Sequence, residues 1–569
     1  MTPQPVVGAI QLVATRGDKE ANLQAIEHHG AAAARDGAMV VITPEMAVTG
    51  YCWPDEDEVR GLAEPLDGPS VRRLTRLAEL TGALFVVGLP ELDRNLGTLH
   101  NTCVLVGPGG CEGAYRKIHP FIADPLWAVD GNALPPVWAT PAGRVAPAIC
   151  ADIDYPESSR YAALAGADWL AVPTAWVDEP GPSATWRLRA WENALPMVIA
   201  DMAGNELGVQ FSGGTAVLDH CGRPRAAMDA GVGHLTTTID IVGAAAARRA
   251  RLAARRPEEY RALALSRRWP RRSTEQLFDV SPSKDRVRVG VLAAPPGEVP
   301  ALPADVDLAV LPAFHLCGGP PTGRQDAELA AGQWLSTLGD LQKLAARHRC
   351  ELVTALVEPA EGGRLHHTVV GVDPEGSVVK HRATHLGAHR SWATAGDGEL
   401  TGRSHARHWG RLGLLAGEEL EPFEPSRVLA LRDADVLVVP SAVSWPWPVP
   451  HPGTEVPLAT QLRGPDTDFA HPVRLRAGDS HVWIAFANSR DRDMDRTPGG
   501  IFGPDHVRMP RAEVLAKEHG WAATTCTTRS PDELGEFCET KPQLVRRRPD
   551  LLAEPLIVSR NGGEVRRCR

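Results

Sequence analysis

The chain contains the same arrangement twice, and that duplication limits it to folds that can be built as two matched domains. The marks of it are intervals. Asn101 and Lys117 stand sixteen positions apart, as do His367 and Ala383. Gly143 and Cys150 in GRVAPAIC are separated by seven positions, and so are Gly410 and Gly417 in GRLGLLAG. Twenty-three positions lead from Cys150 to Pro173 and from Gly417 to Pro440, ending in DWLAVPTA and DVLVVPSA, which read as one strand and turn in two copies. A period of roughly half the chain is a duplicated domain, not a solenoid of short units.

At 569 residues the chain exceeds the size at which a single core stops growing, so two domains are its natural division. From about residue 244 the sequence is rich in Arg and Ala, then polar with Pro and Ser, and a new strand, VRVGVLAA, begins at Val287. The expected domains are therefore 1–284, ending in a linker, and 285–569. Hydrophobic content of 43% and charged content of 23% are those of a folded globular protein. A net charge of −10 argues against a nucleic-acid partner, and the arginines at 248 to 272 read as a solvated helix face and linker. The opening MTPQPVVGAIQLVA has no basic stretch before an apolar core, and no run approaches the roughly 18 apolar residues of a membrane span. The expectation is a cytoplasmic protein with no membrane partner. Ten cysteines without CxxC pairs indicate neither a zinc site nor a disulfide framework, so most should be buried thiols.

Strand and helix signals alternate. Pro5 to Val13 and Met39 to Thr43 are short apolar strands around EANLQAIEHHGAAAARDG, a helix closed by Gly37. A helix over 70–82 precedes the strand ALFVVGLPEL, and TCVLVGP with CEGAYRK flanks a Pro-Gly-Gly turn as a hairpin. RVAPAIC, a helix from Pro156 to Ala165 and DWLAVPT continue the pattern, which implies mixed sheets covered by helices.

Three residues at the ends of apolar strands make a chemical kit in the first half: Glu45 in TPEMAVTGY, Lys117 in YRKIHPF and Cys150 in APAICADIDYPE. Ligand sites of α/β sheets gather at the carboxyl ends of strands, so the three can converge. A thiolate attacks a carbonyl or nitrile carbon, a carboxylate moves protons, and an ammonium lowers the thiol's pKa and stabilises an oxyanion. The backbone N–H of Ala151 is a second oxyanion donor on this reading.

These segments resemble the nitrilase or carbon-nitrogen hydrolase superfamily, whose Glu-Lys-Cys triad lies in such surroundings, with RAWEN (189–193) and FSGGTAV (211–217) following as in the family. The resemblance spans residues 5 to 242. It implies an αββα sandwich, two of which pair into an αββα-αββα assembly. For this chain that means two tandem sandwich domains packed as a pseudo-dimer, with further homo-oligomerisation left open. It also implies hydrolysis of a non-peptide C–N bond in a small-molecule substrate through a Cys150 thioester, with no metal or organic cofactor. Family members carry a second glutamate soon after the Lys; here the nearest acid is Asp124, a helper one methylene shorter. Tyr51, Trp127, Tyr155 and Trp176 are expected to line the pocket. True nitrilases of the family carry Trp-Glu after the nucleophile where this chain has Ala151 and Asp152, which favours an amide or carbamoyl substrate over a nitrile.

The second half keeps the landmarks and loses the kit. Ala313, Ala383 and Gly417 stand where Glu45, Lys117 and Cys150 stand in the first half. Its His315, His366, His367, His381 and His385 fall on different segments without helical ligand spacing, so no metal site is expected. A fused, degenerate pseudo-hydrolase copy would supply a partner surface at high effective concentration. Three alternatives stay open: an amide-forming acyltransferase using the same acyl-enzyme, a nitrile-hydrolysing enzyme, and a non-catalytic scaffold.

Overall fold

The computed structural model describes residues 4–121, 123–177, 179, 181–229, 231–266, 284–297, 299–396, 404–443, 471–489, 499–504, 513–516, 520–528, 544 and 546–558. They divide into two compact units. The first runs to Ala254 and takes in Arg548–Leu556; the second begins at Arg255. The change of unit thus comes earlier than residue 284, and the stretch 267–283 beside that expected boundary lies outside the described residues. The arginines read as solvated are in part structural. Arg248 is buried on Asp168 at 3.2 Å, Arg251 lies over the Trp191 ring, and Arg255 pairs with Glu424 at 2.9 Å inside the second unit. Long aliphatic stems let these side chains fill apolar space while their heads find carboxylates or an aromatic face.

The strands of the first unit are β1 (Val6–Gln11), β2 (Val40–Ile42), β3 (Leu84–Leu92), β4 (Leu99–Gly107), β5 (Gly110–Arg116), β6 (Trp138–Thr140), β7 (Gly143–Pro147), β8 (Trp169–Thr174), β9 (Met197–Asp201), β10 (Ala203–Glu206), β11 (Val209–Ser212), β12 (Ala216–Leu218), β13 (Pro224–Ala227) and β14 (Gly233–Thr238). One sheet has the order β14-β1-β2-β3-β4-β5 and the other β13-β12-β9-β8-β7-β6, with β10 and β11 as a separate hairpin. The central strands β1, β2 and β3 are parallel, as are β7, β8 and β9, and their apolar runs are buried on both faces. The two sheets meet through β1 against β9 and β3 against β8. Helices Lys19–Arg35 and Pro69–Thr81 lie on the first sheet. The second of these starts on a proline and is capped by Gly82 in the left-handed conformation, one residue earlier at each end than the expected 70–82. Helices Pro156–Leu164 and Ala184–Asn193 pack on each other beside the second sheet, completing an αββα sandwich.

The second unit repeats this plan. Its strands are β15 (Arg286–Ala293), β16 (Leu308–Ala313), β17 (Glu351–Pro359), β18 (Leu365–Val372), β19 (Val378–Arg382), β20 (Ser404–Arg407), β21 (Gly410–Leu414), β22 (Val436–Ser441), β23 (Trp483–Asn488), β24 (Gly499–Phe502), β25 (Glu513–Ala516) and β26 (Gly520–Thr527). They form sheets ordered β26-β15-β16-β17-β18-β19 and β25-β24-β23-β22-β21-β20, the same two orders strand for strand. The intervals in the sequence correspond to shared hydrogen bonds. Lys117 N–H donates to Asn101 O at 2.9 Å, and Ala383 N–H to His367 O at 2.8 Å. Ala148 N–H donates to Ala171 O, and Leu415 N–H to Val438 O, so Cys150 and Gly417 hold one position in the fold. Met46 and Phe314, the residues after Glu45 and Ala313, both adopt the left-handed conformation, with φ of 52° and 59°.

Candidate active site

Glu45 follows β2, Lys117 follows β5 and Cys150 follows the end of β7, and the first two meet at the mouth of the sheets. The approach of Glu45 depends on Gly88 in β3: a Cβ there would stand 2.5 Å from Pro44 O and 2.9 Å from Glu45 Cα. Only a glycine lets the chain pass so close. Lys117 Nζ donates to Glu45 Oε1 at 2.7 Å and to Asp124 Oδ2 at 2.6 Å. Asn101 Nδ2 donates to the same Glu45 oxygen at 2.8 Å and to Asp124 Oδ1 at 2.9 Å. The four side chains form a closed ring of two carboxylates, one ammonium and one amide, all buried. Asp124, weighed as a shorter substitute for a glutamate, stands inside that ring. Phe121 N–H donates to its Oδ2 at 2.9 Å, and the short helix Asp124–Trp127 starts on it.

Cys150 opens the 3₁₀ helix Cys150–Asp154 with φ of 45°, a left-handed conformation that costs a non-glycine residue about 1–3 kcal/mol. Such strain persists only where surrounding contacts impose it. Here Asp152 imposes part of it. Its carboxylate accepts from Ile149 N–H at 3.0 Å, Tyr115 O–H at 2.8 Å, and His119 Nδ1 and N–H at 2.8 and 3.2 Å. Arg189 braces the same turn from helix Ala184–Asn193, donating through Nε to Ile153 O at 2.8 Å while Nη1 meets Glu192. Tyr155, expected in the pocket wall, stacks on His119 at 3.8 Å and so belongs to this brace.

The loop after β8 joins the parts. Ala175 N–H donates to Glu45 Oε2 at 3.1 Å, and Thr174 and Ala175 lie against the Cys150 thiol. Tyr51 donates its hydroxyl to Phe121 O at 2.6 Å, and Lys117 Nζ lies 5.6 Å from its ring centre. Trp127 and Trp176 are buried, and neither indole N–H has a hydrogen-bond partner among the described residues. Ala151 is buried in the first turn of the 3₁₀ helix, where main-chain N–H groups lack intrahelical acceptors.

The downward pull of Lys117 on the thiol, expected from the sequence, is present but outweighed. Burial pushes the Cys150 thiol well above its ordinary pKa, and Glu45 adds to this, outweighing the downward pull of Lys117. The resting group is a thiol, so the ammonium does not by itself make a thiolate. Burial also raises Glu45, with Lys117 pulling down and Asp124 pushing up. For Lys117 burial acts downward, but Asp124 and Glu45 overcome it and hold the ammonium charged well above the usual lysine range.

Asn101 and Arg189 were legible only as an interval end and as part of RAWEN. A signal for the latter exists within the chain: in the second unit Arg476 donates to Leu420 O at 3.0 Å and Glu421 O at 2.7 Å and pairs with Asp479, repeating the Arg189 brace.

The carbon-nitrogen hydrolase profile matches residues 6–249 and again residues 265–470. The chain belongs to the carbon-nitrogen hydrolase family. Over 182 residues this hydrolase is 37% identical to a nitrilase of Pyrococcus abyssi (strain GE5 / Orsay), covering 32% of this chain and 68% of that protein. Over 224 residues it is 30% identical to an (R)-stereoselective amidase of a Pseudomonas species, covering 38% and 77% respectively. Among solved structures, an amidase from Nesterenkonia sp. superposes with a TM-score of 0.39 at 26% identity, covering 44% of this chain and 96% of that one. The hydrolase acts on non-peptide C–N bonds.

In the second copy of the hydrolase fold the corresponding place has been rebuilt. Ala313 and Ala383 are part of the apolar core, with Phe314 and Trp392 packed beside them. Arg390 takes the place of Asp124, as the matching bonds Asp124 N to Phe121 O and Arg390 N to Gly387 O indicate, and it pairs with Glu418 at 2.8 Å. His367, in the position of Asn101, is pushed down to a pKa of about 4 by burial and is neutral at physiological pH. Among the described residues no group of three or more His, Cys, Asp or Glu converges as a metal site, and no helix is long and apolar enough to cross a membrane.

Proposed function

We propose that the first unit is an amidase-type hydrolase that cleaves a small-molecule amide or carbamoyl group through a thioester on Cys150 and releases ammonia. The observation that carries this reading is the buried ring of Glu45, Lys117, Asp124 and Asn101, joined through Ala175 to the thiol. Because Cys150 rests as a thiol, Glu45 takes its proton as the sulfur–carbon bond forms, and the carbonyl electrons move to oxygen. Lys117 and the Ala151 N–H stabilise that oxyanion. Glu45 then gives the proton to the departing nitrogen, the C–N bond breaks and ammonia leaves. Water attacks the thioester with Glu45 again as base, and collapse of the second tetrahedral adduct returns the thiol and a carboxylic acid, or a carbamic acid from a carbamoyl substrate. Asp124 keeps Lys117 charged and in place throughout.

Asp152 bears on the choice of substrate less than its position after the nucleophile suggests, because four donors in the protein occupy its carboxylate. The preference for amides over nitriles rests on Ala151, a small residue where the family's nitrilases have Trp. In this reading the second unit does no acyl transfer, having no thiol, carboxylate or ammonium at the equivalent positions. The test is ammonia release from matched sets of primary amides, carbamoyl compounds and nitriles. The expected result is a higher kcat/KM for each amide than for its nitrile; the reverse order would assign the enzyme to nitriles.

A further inference from the structure

Asp201 ends β9 with no solvent exposure, and among the described residues only one of its carboxyl oxygens makes a hydrogen bond. Trp176 N–H donates to Oδ1 at 2.8 Å, while Oδ2 is buried with none. A buried carboxylate oxygen left without a donor is costly. The second copy shows what geometry this position was built for. Thr174 pairs with Asp201 across β8 and β9, and Ser441 pairs with Asn488 across β22 and β23, so Asn488 is the counterpart of Asp201. Asn488 Oδ1 accepts from Val443 N–H at 3.0 Å, as Asp201 Oδ1 accepts from Trp176. Its Nδ2 also donates to Val443 O at 2.9 Å, closing a two-bond clasp on one residue. Asp201 has an oxygen where Asn488 has that donor.

We propose that Asp201 carries a proton in the resting enzyme and clasps Trp176 as an amide would, accepting from its N–H through Oδ1 and donating from Oδ2–H to its carbonyl oxygen. The Trp176 carbonyl also accepts from Ser212 N–H at 2.8 Å, and a carbonyl oxygen has lone pairs for two donors. The surroundings favour the neutral acid. Burial is the main cause that raises Asp201 well above the usual carboxylate range, against the Trp176 and Met202 main-chain N–H groups, and Glu45 raises it further. Among the described residues Glu45 is the charged group that acts on it; Thr174 on β8, Thr215 before β12, whose hydroxyl accepts from Asp201 N–H at 2.9 Å, and Gln11 on β1 are neutral.

On the function proposed above, this makes Asp201 a positioning residue. It fixes the main chain of Trp176, next to Ala175, which holds Glu45 and flanks the thiol. Ionisation would remove one arm of the clasp and place a second negative charge near Glu45, so wild-type activity falls when alkaline pH removes the proton.

The test uses the full chain and two readouts. In the first, infrared difference spectra of wild type against Asp201→Asn at neutral pH, with H2O–D2O exchange, should contain the carbonyl band of one protonated carboxylic acid. This readout needs no substrate and stands or falls apart from the amidase reading. In the second, Asp201→Asn should keep kcat within about twofold at pH 7 and extend activity to higher pH than wild type, because its amide cannot lose the proton. Asp201→Ala should lower kcat at least tenfold, and Asn should rescue what Ala loses. A carboxylate band in place of the acid band would overturn the proton. Superposable pH profiles of wild type and Asp201→Asn would overturn the positioning role.

Discussion

Lys117 Nζ stands 2.7 Å from Glu45 Oε1, with the two side chains 2% and 0% exposed. Water screens little of that attraction, and because Lys117 also pairs with Asp124 at 2.6 Å, removal of the lysine leaves two carboxylates in the interior without their cation. Lys117→Met should therefore destabilise the first unit by about 3–5 kcal/mol, in addition to abolishing turnover. Because the folded state raises the lysine's pKa above its unfolded value, the stabilisation is complete below about pH 10.4 and disappears as pH climbs through the folded value. Urea denaturation from pH 8 to 11 should show an alkaline loss in wild type that Lys117→Met lacks.

Asn101 holds Glu45 and Asp124 with one amide group. Asn101→Leu keeps the branched shape but leaves both carboxylates short of a donor, at a cost of about 1–3 kcal/mol. The expected kinetic result is a fall in kcat with little change in KM, since the base is displaced and not the substrate pocket. Asn101→Asp adds a third carboxylate and should be worse than Leu in steady-state assays.

What the sequence made legible follows from what it repeats. The triad segments and the intervals between them were readable because strand, turn and residue type recur in fixed order, and the structure realises the sixteen-residue interval as the same Lys117–Asn101 and Ala383–His367 bond. Asn101's role was hidden, since its partners lie 56 and 23 positions away and no local pattern marks them. The burial of Arg248 and Arg255 was hidden for the same reason: composition reports charge but not the distant Asp168 or Glu424 that receives it. Nor did the sequence announce that Arg548–Leu556 returns to the first unit.

That returning segment reaches the lysine loop. Arg548 Nη1 donates to Gly131 O at 2.7 Å and Ile118 O at 3.4 Å, and Gly131 N–H donates to Lys117 O at 2.7 Å. Arg548→Ala should cost about 1 kcal/mol in thermal unfolding and lower kcat severalfold by loosening Lys117, with the thiol's reactivity in the fold otherwise retained.

Gly417 has lost the space for a nucleophile as well as the nucleophile. A Cβ there would meet Ser441 Oγ at 2.2 Å and Ser441 Cβ at 2.8 Å. Gly417→Cys should destabilise the second unit by about 1–3 kcal/mol through overpacking. Combined with Cys150→Ala, it should restore no detectable ammonia release.

Asp201→Asn has a thermodynamic signature alongside its kinetic one. A carboxyl whose folded pKa is raised favours the folded state least once the unfolded chain can ionise it, above about pH 3.9. The gain in stability of Asp201→Asn over wild type should therefore be small at pH 3, rise by up to about 1.4 kcal/mol per pH unit above that point, and level off at the folded pKa. Melting curves across pH 3 to 9 measure it.

The central claim is that Cys150 carries the acyl group. Rapid-quench intact-mass spectrometry during turnover of a primary amide, followed by peptide mapping, tests it most directly. The predicted result is a species heavier by the substrate minus ammonia, located on the Cys150 peptide and absent in Cys150→Ala, which should also lose activity by several orders of magnitude. Turnover with the Cys150 peptide unmodified at every quench time, together with substantial activity in Cys150→Ala, would contradict the account.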